Sequence, residues 1–378
     1  MTSVSFEEQE SIRQSARAFI REHAPVAHLR ALRDAEDPLG FSLDLWLDMA
    51  KLGFSGLVVP EAYGGAGLGH AELGIIAEEL GRNLVPTPIL ANVLGAGAVV
   101  LAGTEDLRKE VLPGVCTGER VIGLAGDEGV RFAPYQVTTR AEKRGTGFVL
   151  HGEKSFVLDG YVAGSFVVVA RTSGSPGERD GLTLLHALAD DPGVTTTTLE
   201  TVDARSVAKV RFDGVPVVER DIVGTVGHGA DVLDSVLDRA TAVLAAEMLG
   251  GMQAALERTL AYLKTRKQFG VLIGSFQALK HRAAWMFCEV ELTRSLVSEA
   301  LRAVDAGRPD ARELVSAAKA KATETYRLVT DEAVQMHGGI GVTDEADIGL
   351  YMKRARVAGE TLGDARYHRD AFARARSY

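Results

Sequence analysis

The chain is poor in cysteine. Its 378 residues include two, Cys116 and Cys288, far apart and with no other cysteine nearby. That excludes a disulfide framework and any cysteine-based metal spacing, and it makes a reducing cytoplasm the expected compartment. Long apolar runs are missing as well. No stretch approaches the roughly 18 uninterrupted apolar residues of a membrane span. The start, Met1 to Glu8, has neither a basic region nor an apolar core, so no signal peptide is expected. Positive charge is in deficit. The net charge of −9 argues against a nucleic-acid binder, which needs a basic footprint. Internal repeats and low-complexity tracts are also absent.

What remains is an ordinary globular composition, 46% hydrophobic and 25% charged. At roughly 100–200 residues per domain the length suits two or three domains. The texture changes twice, dividing the chain at 1–118, 119–224 and 225–378. The first part reads helical: Phe6 to His23, a turn around Leu43, Trp46, Leu47 and Ala50 stopped by Gly53, Ala71 to Gly81, and Ile89 to Ala102. In the middle part Val137–Ala141, Phe148–His151, Phe166–Ala170, Leu182–Leu185 and Val207–Phe212 read as short strands parted by glycine-rich turns, which suits a β-barrel or sandwich. No long helix alternates with those strands, so a βαβ dinucleotide fold is disfavoured. The last part is helical again: Asp231 to Arg266, Phe276 to Asp305, Ala311 to Met336, a break at Gly338-Gly339-Ile340-Gly341, and Ile348 to Val357.

Three stretches in this order resemble the acyl-CoA dehydrogenase family. They are Val59-Pro-Glu-Ala-Tyr-Gly-Gly-Ala-Gly-Leu68; Arg266-Lys-Gln-Phe-Gly270 with Ile273-Gly-Ser-Phe-Gln277; and Gln335-Met-His-Gly-Gly-Ile-Gly341 followed by Tyr351-Met-Lys-Arg-Ala-Arg356. The resemblance covers nearly the whole chain. It implies an α+β fold with an N-terminal helical domain, a central β-barrel and a C-terminal four-helix bundle. It also implies FAD, an acyl-CoA substrate, an electron-transfer acceptor, and desaturation at the α,β carbons with a carboxylate as base. Arg266, Phe269, Gln277, Gln335, Gly338 and Gly339 match family positions that reach the FAD of a neighbouring subunit. The residue types suit the role. Arginine forks onto pyrophosphate oxygens, and glycine lets backbone come close to a ligand. Each also has a plain structural reading; Gly338 would serve equally as a helix C-cap, and His337 is set aside as an acid–base residue because it sits inside this match.

The departures from the family pattern fall on one side of the site. Where family members carry a threonine that bonds the flavin ring, this chain has Ala125, within Gly123–Arg131; where they present Trp-Ile-Thr-Asn, it has Phe156-Val157-Leu158-Asp159. The turn that bears the base in many members is Thr361-Leu362-Gly363-Asp364, which puts Leu362 at the base position. The second family location falls on Ala240-Thr241. Glu247, Glu360 and Asp364 are the nearby carboxylates, and Glu247 is the candidate base among them, with a salt-bridging structural role as its alternative. Contacts to a neighbour's FAD kept beside own-subunit groups lost resemble the partner-type subunit of actinobacterial α2β2 acyl-CoA dehydrogenases, known from steroid side-chain breakdown. The expectation is therefore a subunit that desaturates a bulky, steroid-derived acyl-CoA together with a second, base-carrying chain. Two rivals are a self-sufficient homotetramer with a relocated base and a flavin-free scaffold on the same fold.

Overall fold

A computed structural model describes residues 4–378. Six helices come first: α1 (Phe6–His23), α2 (Val26–Asp34), α3 (Leu43–Lys51), α4 (His70–Arg82), α5 (Ile89–Ala102) and α6 (Glu105–Cys116). Eight strands follow: β1 (Ile122–Ala125), β2 (Arg140–Arg144), β3 (Gly147–Leu158), β4 (Ser165–Arg171), β5 (Leu182–Leu188), β6 (Val194–Glu200), β7 (Ser206–Val217) and β8 (Ile222–Val223). Then come α7 (Ala230–Thr265), a two-stranded hairpin of β9 (Lys267–Gln268) and β10 (Val271–Leu272), α8 (Gln277–Asp305), α9 (Ala311–His337), α10 (Ile348–Glu360) and α11 (Ala365–Ala375). The fold is the three-part α+β arrangement of helices, sheet and helices. Among the described residues no helix is long and apolar enough to cross a membrane.

The chain packs as two compact units. One holds Leu32–Gly69 and Pro86–Ala240; the other holds residues 4–31, His70–Val85 and Thr241–Tyr378. In the first unit the strands run β6-β7-β3-β2-β4-β5-β8, with β1 added on β4. The β2–β4 joint is a single residue pair, Arg140 with Arg171. The sheet folds over at that joint. Phe148, Leu150, Val210 and Phe212 from β3 and β7 share one buried cluster with Phe166, Val168 and Leu185 from β4 and β5. The Phe166 and Phe212 rings meet edge to face at 6.3 Å. Helix α5 is apolar on nearly every face and correspondingly buried. It lies against β1: a Cβ on Gly95 would sit 2.2 Å from the Ile122 carbonyl, and Asn92 Oδ1 accepts from Ile122 N at 3.0 Å.

One sequence expectation shifts, and one strand goes unanticipated, each for a physical reason. The stretch from Val137 was expected to be a strand, yet β2 begins at Arg140. The amides of Thr138 and Thr139 are taken by the Glu128 carboxylate, at 2.7 and 3.0 Å, and so cannot join a ladder. Strand β6 had no apolar signal because it is an exposed edge, its threonine run facing solvent.

In the second unit α4 and α7 cross antiparallel with almost no gap, through Gly81 and Gly250. The N-terminus of α4 is capped from another helix. Asp305, at the end of α8, accepts from the backbone N–H of His70 and of Ala71, both at 2.8 Å, and its Oδ1 lies 2.8 Å from His70 Nδ1. Burial pushes the Asp305 carboxyl up, but the bonds from His70 and Ala71 outweigh it and hold the group below its ordinary value. Asp305→Ala is expected to lower stability by about 1–2 kcal/mol, the loss typical of an N-cap. Urea unfolding of the full chain checks this; an unchanged midpoint would remove the cap from the account.

Candidate functional site

The residues matched to the dinucleotide come together at one end of the helical unit. Helices α8 and α9 are antiparallel neighbours, as the pairings Arg282–Glu332, Thr293–Thr325 and Lys321–Glu289 show. The start of α8, with Gln277, therefore lies level with the end of α9, with Gln335, Gly338 and Gly339. The end of α7 joins them, since the Tyr262 ring stacks on His337 at 4.5 Å. Arg266 follows one turn later, where the chain leaves α7 for the β9–β10 hairpin.

The local geometry at this end suits an anionic, flat-ringed ligand. Arg266 is exposed, and among the described residues its guanidinium has no ion-pair partner. Phe269 is 90% exposed and holds a left-handed φ of 53° at the hairpin tip, with the Phe276 ring edge to face at 6.2 Å. An exposed phenyl on a strained backbone is uncommon. Gln277 opens α8 with no side-chain cap on the helix N-terminus, leaving amide N–H groups for an anion. Gln335 is exposed, and its carbonyl accepts from Gly338 N–H as α9 ends. Gly338 has φ +65°, and a Cβ on Gly338 or Gly339 would meet nothing within 4 Å. The pair is an open stretch of backbone as well as a helix stop. A guanidinium, an uncapped helix start, two amide side chains, an aromatic face and an open glycine stretch fit a dinucleotide. His337 has a structural role: its Nδ1 lies 2.7 Å from the Ala333 carbonyl, as a donor.

The positions that correspond to the flavin-ring side belong to the other unit. Ala125 is fully buried in β1. Phe156 and Asp159 hold left-handed φ values of 54° and 49°, beside a bulge between Lys154 and Val157. Lys154 was not singled out from the sequence. It is fully buried, and its Nζ donates to the Gly126 carbonyl at 2.9 Å and to Glu128 Oε1 at 2.7 Å. Burial brings this ammonium down to about 8 in spite of Glu128. Burial raises Glu128, but the Lys154 charge and the bonds from Lys154, Thr138 and Thr139 bring it to about 2. Burial pushes neighbouring Asp127 up to about 6 against a backbone bond from Ala133 and the charge of Lys154. A signal existed: Lys154 shares the inward parity of Phe148 and Leu150 along β3.

Neither base location offers a free carboxylate. Leu362 is buried and in left-handed conformation, φ 56°. Glu247 is buried in α7, and its two oxygens accept from Arg354 Nε and a terminal guanidinium nitrogen at 2.9 and 3.0 Å. A carboxylate gripped in this way by a permanently charged partner is a poor proton acceptor, so its geometry is that of the structural alternative. Asp364 caps α11 by accepting from Tyr367 N at 2.7 Å. Glu360 is exposed at the end of α10.

Comparison with known proteins identifies the family. Residues 6–119 match the family described as acyl-CoA dehydrogenase, N-terminal domain; residues 125–215 match its middle domain and 227–376 its C-terminal domain. The chain is 33% identical to the acyl-CoA dehydrogenase IpdE2 of Mycolicibacterium smegmatis, over 95% of this chain and 96% of that one. A variant of the Tcur3481-Tcur3483 steroid ACAD superposes with a TM-score of 0.88 at 31% identity, covering 98% of both chains. The ChsE4-ChsE5 complex of Mycobacterium tuberculosis superposes with a TM-score of 0.89 at 28% identity, covering 100% of this chain and 99% of that one.

Proposed function

Because the chain belongs to the acyl-CoA dehydrogenase family, we propose that it is the partner-type subunit of a heteromeric member, desaturating a bulky acyl-CoA of steroid type in concert with a second chain that carries the base. One observation carries the reading. The residues suited to a neighbour's dinucleotide stand exposed at one end of the bundle, while Leu362 occupies one base location and the candidate base, Glu247, is held by Arg354. The similarity to a structure described as a steroid ACAD and to a two-protein complex supports both the substrate class and the pairing.

In this reading each group has a stated task. Arg266 and the uncapped start of α8 hold pyrophosphate oxygens. Phe269 covers the adenine, Gln277 and Gln335 offer amide bonds, and Gly338-Gly339 lets the backbone approach. FAD, when bound, supplies the hydride acceptor. The α-proton leaves to a carboxylate on the second chain, since Leu362 cannot take it. An electron-transfer acceptor would be the redox partner of the assembly, and the cytoplasm is the expected compartment. Helix α8 also offers a docking strip: Trp285, Cys288 and Leu292, spaced three and four residues apart, are exposed, Trp285 by 50% and Leu292 by 56%.

The test is to purify the full chain alone and together with a family member that bears the missing glutamate, encoded beside it. The lone chain is expected to turn over acyl-CoA about 10²–10⁴-fold more slowly than the pair, the usual contribution of a positioned base. Equal turnover by the lone chain would reject the proposal. Trp285→Glu is expected to shift the pair to smaller species in light scattering with the circular dichroism of the chain unchanged. An intact assembly would remove α8 as the docking strip.

A further inference from the structure

The turn between α10 and α11 is gripped from beneath by two buried titratable side chains that the proposed function does not use. Lys319, on α9, is fully buried. Its Nζ donates to the Gly359 carbonyl at 3.1 Å, to the Gly363 carbonyl at 2.9 Å and to Thr323 Oγ1 at 3.4 Å. His368, on α11, is buried as well; its Nε2 donates to the Leu362 carbonyl at 2.9 Å, and its Nδ1 lies 3.5 Å from Ser316 Oγ. Three carbonyls of one short segment are thus bonded by two side chains.

The segment needs that support. Leu362 and Gly363 are successive residues with positive φ, 56° and 101°. A leucine in that region is strained and persists only where the surroundings fix it. Leu362 is also buried, so its side chain is committed inward. The turn is closed by Gly363 N–H donating to the Glu360 carbonyl at 3.3 Å, with Thr361 at φ −65° and ψ 131° and Leu362 in the left-handed position of a type II turn; the two side-chain donors hold this turn from beneath.

We propose that Lys319 is a positioning residue: together with His368 it latches the Thr361–Asp364 turn and so fixes where residue 362 stands. The latch rests on geometry alone; its relevance to an acyl-CoA site rests on the reading given above. The charged groups that act on Lys319 are Glu360, Asp364 and Arg354, and those on His368 are Lys319, Asp364 and Arg312. Burial is the largest influence on both. It brings Lys319 from 10.5 down to about 7, with the two acids opposing and Arg354 assisting. It brings His368 from 6.5 down to about 4, with Lys319 assisting and the Leu362 carbonyl opposing.

Both groups are depressed when the latch is closed, so both favour the closed turn at higher pH. Opening hydrates them and restores their ordinary values. Between about pH 7 and 10.5 opening takes up a proton at Lys319, and between about pH 4 and 6.5 it takes one up at His368. Protection of the turn therefore rises with pH in both windows, by up to about tenfold per pH unit.

The experiment is hydrogen exchange on the full-length chain from pH 4 to 9, following peptides that cover residues 359–368. Rates are corrected for intrinsic chemistry, and β5 serves as internal reference. The expected result is protection that climbs above pH 7 and falls below pH 6.5 relative to β5. Lys319→Met flattens the upper limb. His368→Gln, which keeps a donor but cannot titrate, flattens the lower one. A wild-type turn whose protection does not vary with pH against the reference overturns the latch, and this needs no variant to fold. A Lys319→Met chain that keeps the full upper slope overturns it as well. A non-reactive acyl-CoA thioether added to the assembled enzyme reports on the functional reading separately: a footprint on 359–368 supports that reading, and its absence counts against it without touching the pH result.

Discussion

Glu247→Ala is expected to destabilise the chain by about 3–5 kcal/mol, the loss seen when one partner of a buried ion pair is removed. The pair is buried on both sides, with the Arg354 and Glu247 side chains 8% and 10% exposed, and its two bonds at 2.9 and 3.0 Å form a fork. Arginine does not shed its proton to escape an unfavourable site. Deleting the carboxylate therefore strands a guanidinium charge, and that penalty exceeds what the pair itself contributes. Replacing both residues, Glu247→Leu with Arg354→Met, is expected to recover most of the loss, because an apolar pair of similar volume has no desolvation cost to offset. Urea unfolding of the two single variants and the double variant measures the coupling. Additive losses would show that the two side chains do not act as a pair. The same series separates structure from catalysis. A Glu247→Gln assembly that folds and keeps its turnover removes Glu247 as base; one that folds with its wild-type stability and loses all turnover restores it.

The order of helices, strands and helices was legible because period and turn chemistry change together along the chain. Phe6–His23 and Ile89–Ala102 emerge at their expected bounds, since each is an apolar or amphipathic run with a clear stop. Helix α11 was not anticipated; its stripe is mostly polar, and only His368 in it is buried. The residues suited to a dinucleotide were legible as matched motifs, and their convergence at one bundle end depends on the antiparallel α8–α9 pairing, which no local pattern states. The two buried lysines were missed because charge is normally read as surface. Periodicity did carry the information. Val315, Lys319, Ala322 and Tyr326 form one buried helical stripe, and Lys154 continues the inward side of β3. A cation inside an apolar period is the signal to look for, and in both cases its partners include backbone carbonyls that sequence does not display, with Glu128 beside Lys154 and Thr323 beside Lys319.

The other large effect belongs to a residue with no side chain. Gly250→Ala is expected to cost more than about 3 kcal/mol, at or beyond the upper end for overpacking. At the α4–α7 crossing a Cβ on Gly250 would lie 1.8 Å from the Glu78 carbonyl oxygen and 2.7 Å from its carbon. The arrangement is reciprocal: a Cβ on Gly81 would lie 1.9 Å from the Glu247 carbonyl oxygen. Both obstacles are backbone, so no rotamer change relieves them, and the helices must separate. Separation also moves what the crossing carries. Glu78 accepts from Arg13 at 2.9 Å and from Arg294 at 2.7 Å, and Glu247 accepts from Arg354. One methyl group thus loosens two buried charge networks along with the apolar contact. The contrast is Gly349, in the first turn of α10, where a Cβ would meet nothing within 4 Å. Gly349→Ala is expected to be neutral or to stabilise by up to about 1 kcal/mol through helix propensity. Thermal and urea unfolding of the two variants side by side decide the matter: equal midpoints for Gly250→Ala and wild type would mean that the helices do not meet backbone to backbone.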